Sequence, residues 1–181
     1  MDNTKNGKIV SRALLVGTAL VSLTAVPVSE VQAASGTGAM SAILLTPITV
    51  SGTQVLHFGS MTATNAGTML IDTTGARTPG GAVSAVAGGN LEQAGVLSIS
   101  AATGVAIDLS MAATSFTVTD GGGNTMVVNN FNLRTNAGGT AETITLVASP
   151  TTVPLGATLN VGAAQVTGTY TGTYTVNANY Q

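Results

Sequence analysis

The residues from Gly168 to Gln181, GTYTGTYTVNANYQ, alternate without a break. Thr169, Thr171, Thr173, Thr175, Asn177, Asn179 and Gln181 share one parity, while Tyr170, Gly172, Tyr174, Val176, Ala178 and Tyr180 share the other. Successive side chains of a strand point to opposite faces, so this spacing predicts a long β-strand with one polar and one apolar face. Such a strand needs a partner along at least one edge, because bare N–H and C=O groups otherwise recruit other chains. The rest of the chain is then whatever this strand is built into.

The opposite end is of a different kind. Lys5, Lys8 and Arg12 precede a mainly apolar run from Ala13 to Val28, and Ser29-Glu30-Val31-Gln32-Ala33 follows. A basic start, a short apolar stretch and small residues at Val31 and Ala33 predict a secretory signal peptide over residues 1–33, cleaved after Ala33. The run is interrupted by Gly17, Thr18, Ser22, Thr24 and Pro27 and is shorter than the roughly 20 residues that span a bilayer, so no stable membrane anchor is expected after cleavage. The expected location is the periplasm, then the cell surface or the extracellular space.

Cleavage would leave 148 of 181 residues, the size of one domain. Two arginines, Arg77 and Arg134, then face five carboxylates (Asp72, Glu92, Asp108, Asp120 and Glu142), a net charge of −3 with no lysine. A basic patch is therefore missing, which argues against nucleic acid as a partner. The loss of every lysine also removes phosphate-loop and Schiff-base chemistry. With no cysteine, thiolate zinc sites and disulfides are excluded as well. Stability must come from strand pairing and from burial of Val, Ile, Leu, Ala and Met, since the chain has six aromatic residues and no Trp.

After a flexible leader, Ala34 to Gly38, the residues Ala39 to Val50 predict a second long extended segment, with Met40, Ala42, Leu44, Ile48 and Val50 on one parity. Pro47 lacks an N–H and places that segment at a sheet edge or at a switch between sheets. Ser51-Gly52-Thr53 reads as a turn, and Gln54 to Phe58 as a short strand ending at Gly59. Short β-branched runs then recur between Gly, Asn, Asp and Pro: Thr68–Ile71, Ala82–Val86, Val96–Ser100, Val105–Leu109, Ser115–Thr119, Thr125–Leu133, Thr143–Val147 and Thr158–Val161. Thr103-Gly104 reads as one hairpin turn and Asp120 to Asn124 as another. Strands at this spacing predict an all-β antiparallel sandwich or barrel, without a long helix and without a repeat of fixed period.

The ending resembles the C-terminal strand of bacterial pilins assembled by the chaperone-usher route, with Gly168, Tyr170, Val176 and Tyr180 in the places of that family's glycine, alternating apolar residues and penultimate tyrosine. Phe58-Gly59 after an extended N-terminal segment, the glycine-rich middle and Tyr170-Thr171-Gly172 are also similar to a pilin-like family of secreted bacterial proteins known only as a domain of unknown function. The resemblance implies an immunoglobulin-like sandwich over residues 48–181, either complete or lacking a strand, and a donor extension over residues 34–47. Partners would be other subunits or further copies of the chain, joined through β-strand addition, with a periplasmic chaperone possible on the way. It assigns the donor role to Met40, Ala42 and Leu44, and a wall of the acceptor groove to Gly168, Tyr170, Tyr174, Val176 and Tyr180. Four or five inserted apolar side chains at about 1.5 to 3 kcal/mol each give roughly 6 to 15 kcal/mol, comparable with the whole stability of a domain.

Reactive chemistry has little support in the sequence. His57 is the only histidine, and no G-x-S-x-G elbow or thiol accompanies it, so a solvent-facing strand residue or a polar contact is the simpler reading. Asp108 and Asp120 could act as paired carboxylates on sugars only if the fold brought them together. Asp120 to Asn124 lacks the spaced carboxylates of a calcium loop and reads as a hairpin tip. Tyr170, Tyr174 and Tyr180 share a strand face, as a platform for a sugar or a partner strand, or as core residues with hydroxyls at the rim. The expectation is a non-enzymatic secreted structural subunit of a fimbria-like or surface assembly without a cofactor. The alternative is a self-contained secreted sandwich that binds a glycan or a surface partner.

Overall fold

A computed structural model describes residues 33–88, 92–134 and 139–181. The signal peptide expected over residues 1–33 therefore lies, apart from Ala33, outside the described residues. Met1–Ser41 is a unit of its own, of which residues 33–41 are described; they form neither helix nor strand and are exposed throughout.

The second unit, Ala42–Gln181, is all-β, with ten strands and no helix among the described residues. They are β1 (Thr49–Gln54), β2 (Met61–Ile71), β3 (Arg77–Ala85), β4 (Gly95–Ser100), β5 (Ala106–Met111), β6 (Ser115–Thr119), β7 (Thr125–Leu133), β8 (Ala141–Thr145), β9 (Thr151–Val161) and β10 (Val176–Tyr180). Seven make one antiparallel sheet, ordered β1-β4-β9-β2-β3 with β7 also on β9 and β6 on β7. The other three make a second antiparallel sheet, β10-β5-β8. The two open sheets pack as a sandwich, as the strand spacing predicted.

The core follows from parity. β4 buries Gly95, Leu97 and Ile99, β5 buries Ile107, Leu109 and Met111, and β9 buries Val153, Leu155, Ala157, Leu159 and Val161. Phe131, Leu133, Ile144 and Leu146 join the same cluster. β9 is the spine: β4 and β2 pair with its first and second parts, and β7 pairs with it from Leu155 to Asn160.

Several sequence expectations change here. The extended segment Ala39–Val50 is a strand only from Thr49 onward, and Ser51-Gly52-Thr53 continues β1, with a register shift between Gly52 and Gln54, instead of turning. Of the strand expected over Gln54–Phe58, only a bridge between His57 and Gln93 remains beyond β1. The runs at Thr68, Ala82 and Thr158 extend N-terminally into β2, β3 and β9, through glycines and prolines that read as breaks. Pro79 lies on β3, an edge strand, where its missing N–H is tolerated. Gly156 is required in β9: a Cβ there would lie 2.7 Å from the Ile71 carbonyl oxygen.

The Thr103-Gly104 turn does not close a hairpin. β4 pairs with β1 and β9, and β5 with β10 and β8, so the turn carries the chain from one sheet to the other. Both strands bury the same parity, and they meet across the core instead of side by side. The second expected hairpin is present, with β6 and β7 paired from Ser115↔Asn129 to Thr119↔Thr125.

Candidate functional site: an apolar groove at the end of the first strand

The terminal alternation survives folding, but the segment divides its pairing between the two sheets. Thr171 bridges to Thr119 at the end of β6, with reciprocal backbone hydrogen bonds of 2.8 and 2.9 Å. The Thr175 carbonyl then accepts from Ala112 N–H at 2.9 Å, and β10 pairs with β5 from Val176↔Met111 to Tyr180↔Ile107. Gly172 makes this crossing possible, since a Cβ there would lie 2.5 Å from the Thr117 carbonyl oxygen. Tyr170, Tyr174, Val176, Ala178 and Tyr180 are half-buried, and the opposite parity is exposed. The last strand is thus shorter than expected, with the expected face turned inward.

β1 and β10 each have one strand neighbour among the described residues. Between Gly52–Leu56 and Gly172–Tyr174 opens a groove of about 310 Å³, with Phe58, Phe116, Val118, Val128 and Phe131 as further lining. Every phenylalanine of the chain thus lines this one place, together with Tyr174. Phe116 meets Phe131 edge-on at 5.4 Å between centroids, and Phe131 meets Tyr174 at 6.2 Å, geometries that suit the ring quadrupoles. Burial raises the Tyr174 hydroxyl pKa above its ordinary value. No charged residue lines the groove.

At the other end of these strands, the Tyr180 hydroxyl accepts from Ala102 N–H at 2.7 Å and donates to the Thr46 carbonyl at 2.5 Å. Thr46 is the residue from which the exposed N-terminal segment leaves. In that segment Met40 is 98% exposed, Ile43 88% and Leu44 100%, and Ala42 is exposed too. The expected donor residues therefore form an uncharged, apolar, unpaired arm. Of the C-terminal wall, Tyr174 lines the groove, whereas Val176 and Tyr180 lie beyond its lining, on β10. Gly168 and Tyr170 lie before the crossing: Gly168 is exposed against Asp120, and the Tyr170 hydroxyl donates to the Val166 carbonyl and accepts from Gln165 Nε2. The three tyrosines do not form one platform, because their hydroxyls serve three separate places.

Sequence reasoning missed the floor of the groove, formed by Phe58, Phe116, Val118, Val128 and Phe131. The signal available was scarcity: in a chain with so few aromatic residues, each phenylalanine marks a place where large apolar area is needed.

The polar candidates have local roles. His57 Nδ1 accepts from Gly59 N–H at 2.9 Å, and the His57 backbone pairs with Gln93. Gly59 has a φ of 75°, and a Cβ there would collide with the Arg77 guanidinium, which donates to the Ser60 and Val86 carbonyls and lies 3.6 Å from Glu92. Phe58-Gly59 is thus a tight turn built around a half-buried arginine. Asp108 lies on β5 and accepts from Thr143 and Gln181, whereas Asp120 lies at the tip of the β6–β7 hairpin in the other sheet. The Asp120 carboxylate accepts from the Asn124 side chain and from Gly122 and Asn124 N–H groups, which lowers its pKa. Those bonds make it the organiser of a hairpin tip.

An all-β sandwich with an apolar groove at its seam and an exposed apolar arm defines a class of architecture. The chain belongs to the family described as Domain of unknown function (DUF4402), whose model matches residues 48–180. No curated protein and no solved structure matches the chain.

Proposed function

We propose that the protein is a secreted structural subunit of a fimbria-like or other surface assembly, joined to its neighbours by exchange of β-strands. The observation that carries this reading is the groove: a site lined by Phe58, Phe116, Phe131 and Tyr174 opens between the end of β1, which has one strand neighbour among the described residues, and the segment Gly172–Tyr174. An inserted strand would pair along the open edge of β1 and cover the aromatic floor, two gains that a loop-borne ligand would not combine.

The arm supplies the complementary chemistry. Residues 34–47 carry no charge, which suits a groove without charged lining, where a charged insert would be buried without a partner. Met40 and Leu44 are each worth about 1.5 to 3 kcal/mol on full burial. Met is also well suited to aromatic walls, through its flexible, polarizable thioether. The likeness of the C-terminal strand to chaperone-usher pilins points the same way, with Met40, Ala42 and Leu44 as donor and Tyr174, Val176 and Tyr180 beside the acceptor.

The test is the chain from Ala34 onward, compared with a Met40→Asp/Leu44→Asp variant by sedimentation velocity over a range of concentrations. The wild-type arm should give concentration-dependent, slowly dissociating oligomers, and the charged arm a monomer with an unchanged far-UV spectrum. A wild-type monomer at every concentration, with an arm resistant to proteolysis, would overturn the reading.

A further inference from the structure

An arm that fits a neighbour's groove also fits its own, so strand exchange needs something that keeps the arm outside. We infer that the Tyr180 hydroxyl is that device, a positioning group that clamps the root of the arm. The inference rests on the strand-exchange reading given above.

The geometry is a three-way junction. The hydroxyl of Tyr180, on β10, takes the Ala102 N–H just beyond β4 and gives its proton to the Thr46 carbonyl, three residues before β1. One oxygen thus joins the last strand, the β4–β5 connection and the arm root, using both its acceptor and its donor capacity. The Tyr180 ring is half-buried against the core and fixes where that oxygen sits.

To enter its own groove, the arm would have to reverse direction between Leu45 and Thr49 and run back beside β1. Two local features oppose the reversal. Pro47 biases Thr46 toward an extended backbone and cannot supply the positive φ that tight hairpin turns use. The Tyr180 bond then fixes the Thr46 carbonyl at the root of the arm. The bond lies before β1, at Thr46, and the aromatic groove lies past the other end of that strand, at Leu56 and Tyr174. Exit and entry lie at opposite ends of β1, an arrangement that makes head-to-tail, open-ended association.

The chain has no cysteine, so an introduced pair reports cleanly. Ile43→Cys marks an exposed position of the arm and Asn177→Cys an exposed position of β10. Both variants are treated with a short thiol cross-linker, as a double variant at low concentration to read self-insertion and as mixed single variants to read exchange. Removing the hydroxyl with Tyr180→Phe should raise the intrachain yield relative to the interchain yield by about tenfold, the worth of roughly one hydrogen bond. Pro47→Gly should shift the ratio in the same direction and carries the test if Tyr180→Phe does not fold, which thermal unfolding of both variants checks. A general loss of stability would lower both yields together and would not move their ratio. A ratio unchanged in both variants overturns the clamp while leaving strand exchange standing. An absence of interchain product in every background, with intrachain product still rising, supports the clamp and overturns strand exchange between copies.

Discussion

β9 and the C-terminal segment carry the same kind of pattern and meet different fates. Along β9, Val153, Leu155, Ala157, Leu159 and Val161 alternate as regularly as Tyr174, Val176, Ala178 and Tyr180 do at the end of the chain. Val153 is 1% exposed and Leu155 fully buried, whereas every inward residue of β10 is only half-buried. β9 has strands along both edges and a second sheet over its face, while β10 has β5 alone. Alternation therefore decides which face turns inward, and the number of neighbours decides how deeply that face is buried. The shortfall on β10 is the one neighbouring strand that β9 has and β10 lacks among the described residues.

Two valines put this comparison to its hardest test. Val153→Ala should cost about 2 to 3 kcal/mol in urea unfolding, the transfer and cavity terms of a fully buried side chain. Val176→Ala, at a half-buried position of β10, should cost about 1 kcal/mol or less in the monomer. Equal costs in the monomer would show that the seam is already closed.

Gly172→Ala should destabilise by about 1 to 3 kcal/mol, because the added methyl meets the backbone of β6 and the crossing segment must move. The same substitution should weaken arm binding, measured as loss of oligomer at fixed concentration, since Gly172 also lines the groove. Gly52, which also lines the groove, sharpens the contrast: a Cβ there meets nothing within 4 Å, and Gly52→Ala should leave monomer stability nearly unchanged.

Val55→Asp, at a groove residue 70% exposed, should change monomer stability by no more than about 0.5 kcal/mol. Its effect should fall on assembly, where the carboxylate would be buried without a partner. A matching loss of stability and assembly would make Val55 an ordinary core residue.

The smallest effect is at Asp120, whose bonds to Asn124 and to neighbouring N–H groups hold its carboxyl below the ordinary value of 3.8. A lowered folded-state pKa stabilises the hairpin above that ordinary value, and the contribution disappears as pH falls through the folded pKa. Asp120→Asn should therefore flatten the acid end of the stability profile and lower stability slightly near neutrality, where the carboxylate's contribution is fully present. Carboxyl titration by NMR would read this directly, and arm binding should not respond.

Much of the fold is legible in the sequence where parity is clean. The hairpin at Asp120, the strands around Val96 and Ile107, and the inward face of the last strand all follow from alternation and from turn residues. The glycines and prolines misled: Gly52, Pro79 and Pro154 all lie inside strands, and a register shift accommodates the first and an edge strand the second. Those accommodations depend on a neighbouring strand and not on the local residues. The arm and the C-terminal wall were visible as apolar alternation, but the aromatic floor was not, because Phe58, Phe116 and Phe131 come from three distant stretches.

By itself, the sequence determined that this protein is built from two-faced strands, that it has no thiol and few charges, and that its first and last segments carry apolar faces. Those are properties of residue type and spacing, which local geometry translates directly. Only the tertiary structure decided that the Thr103-Gly104 turn crosses between sheets, that three distant phenylalanines converge, and that Tyr180 holds the root of the arm. Each of these depends on which edges pair, and pairing between segments far apart in the chain is set by how the whole core closes.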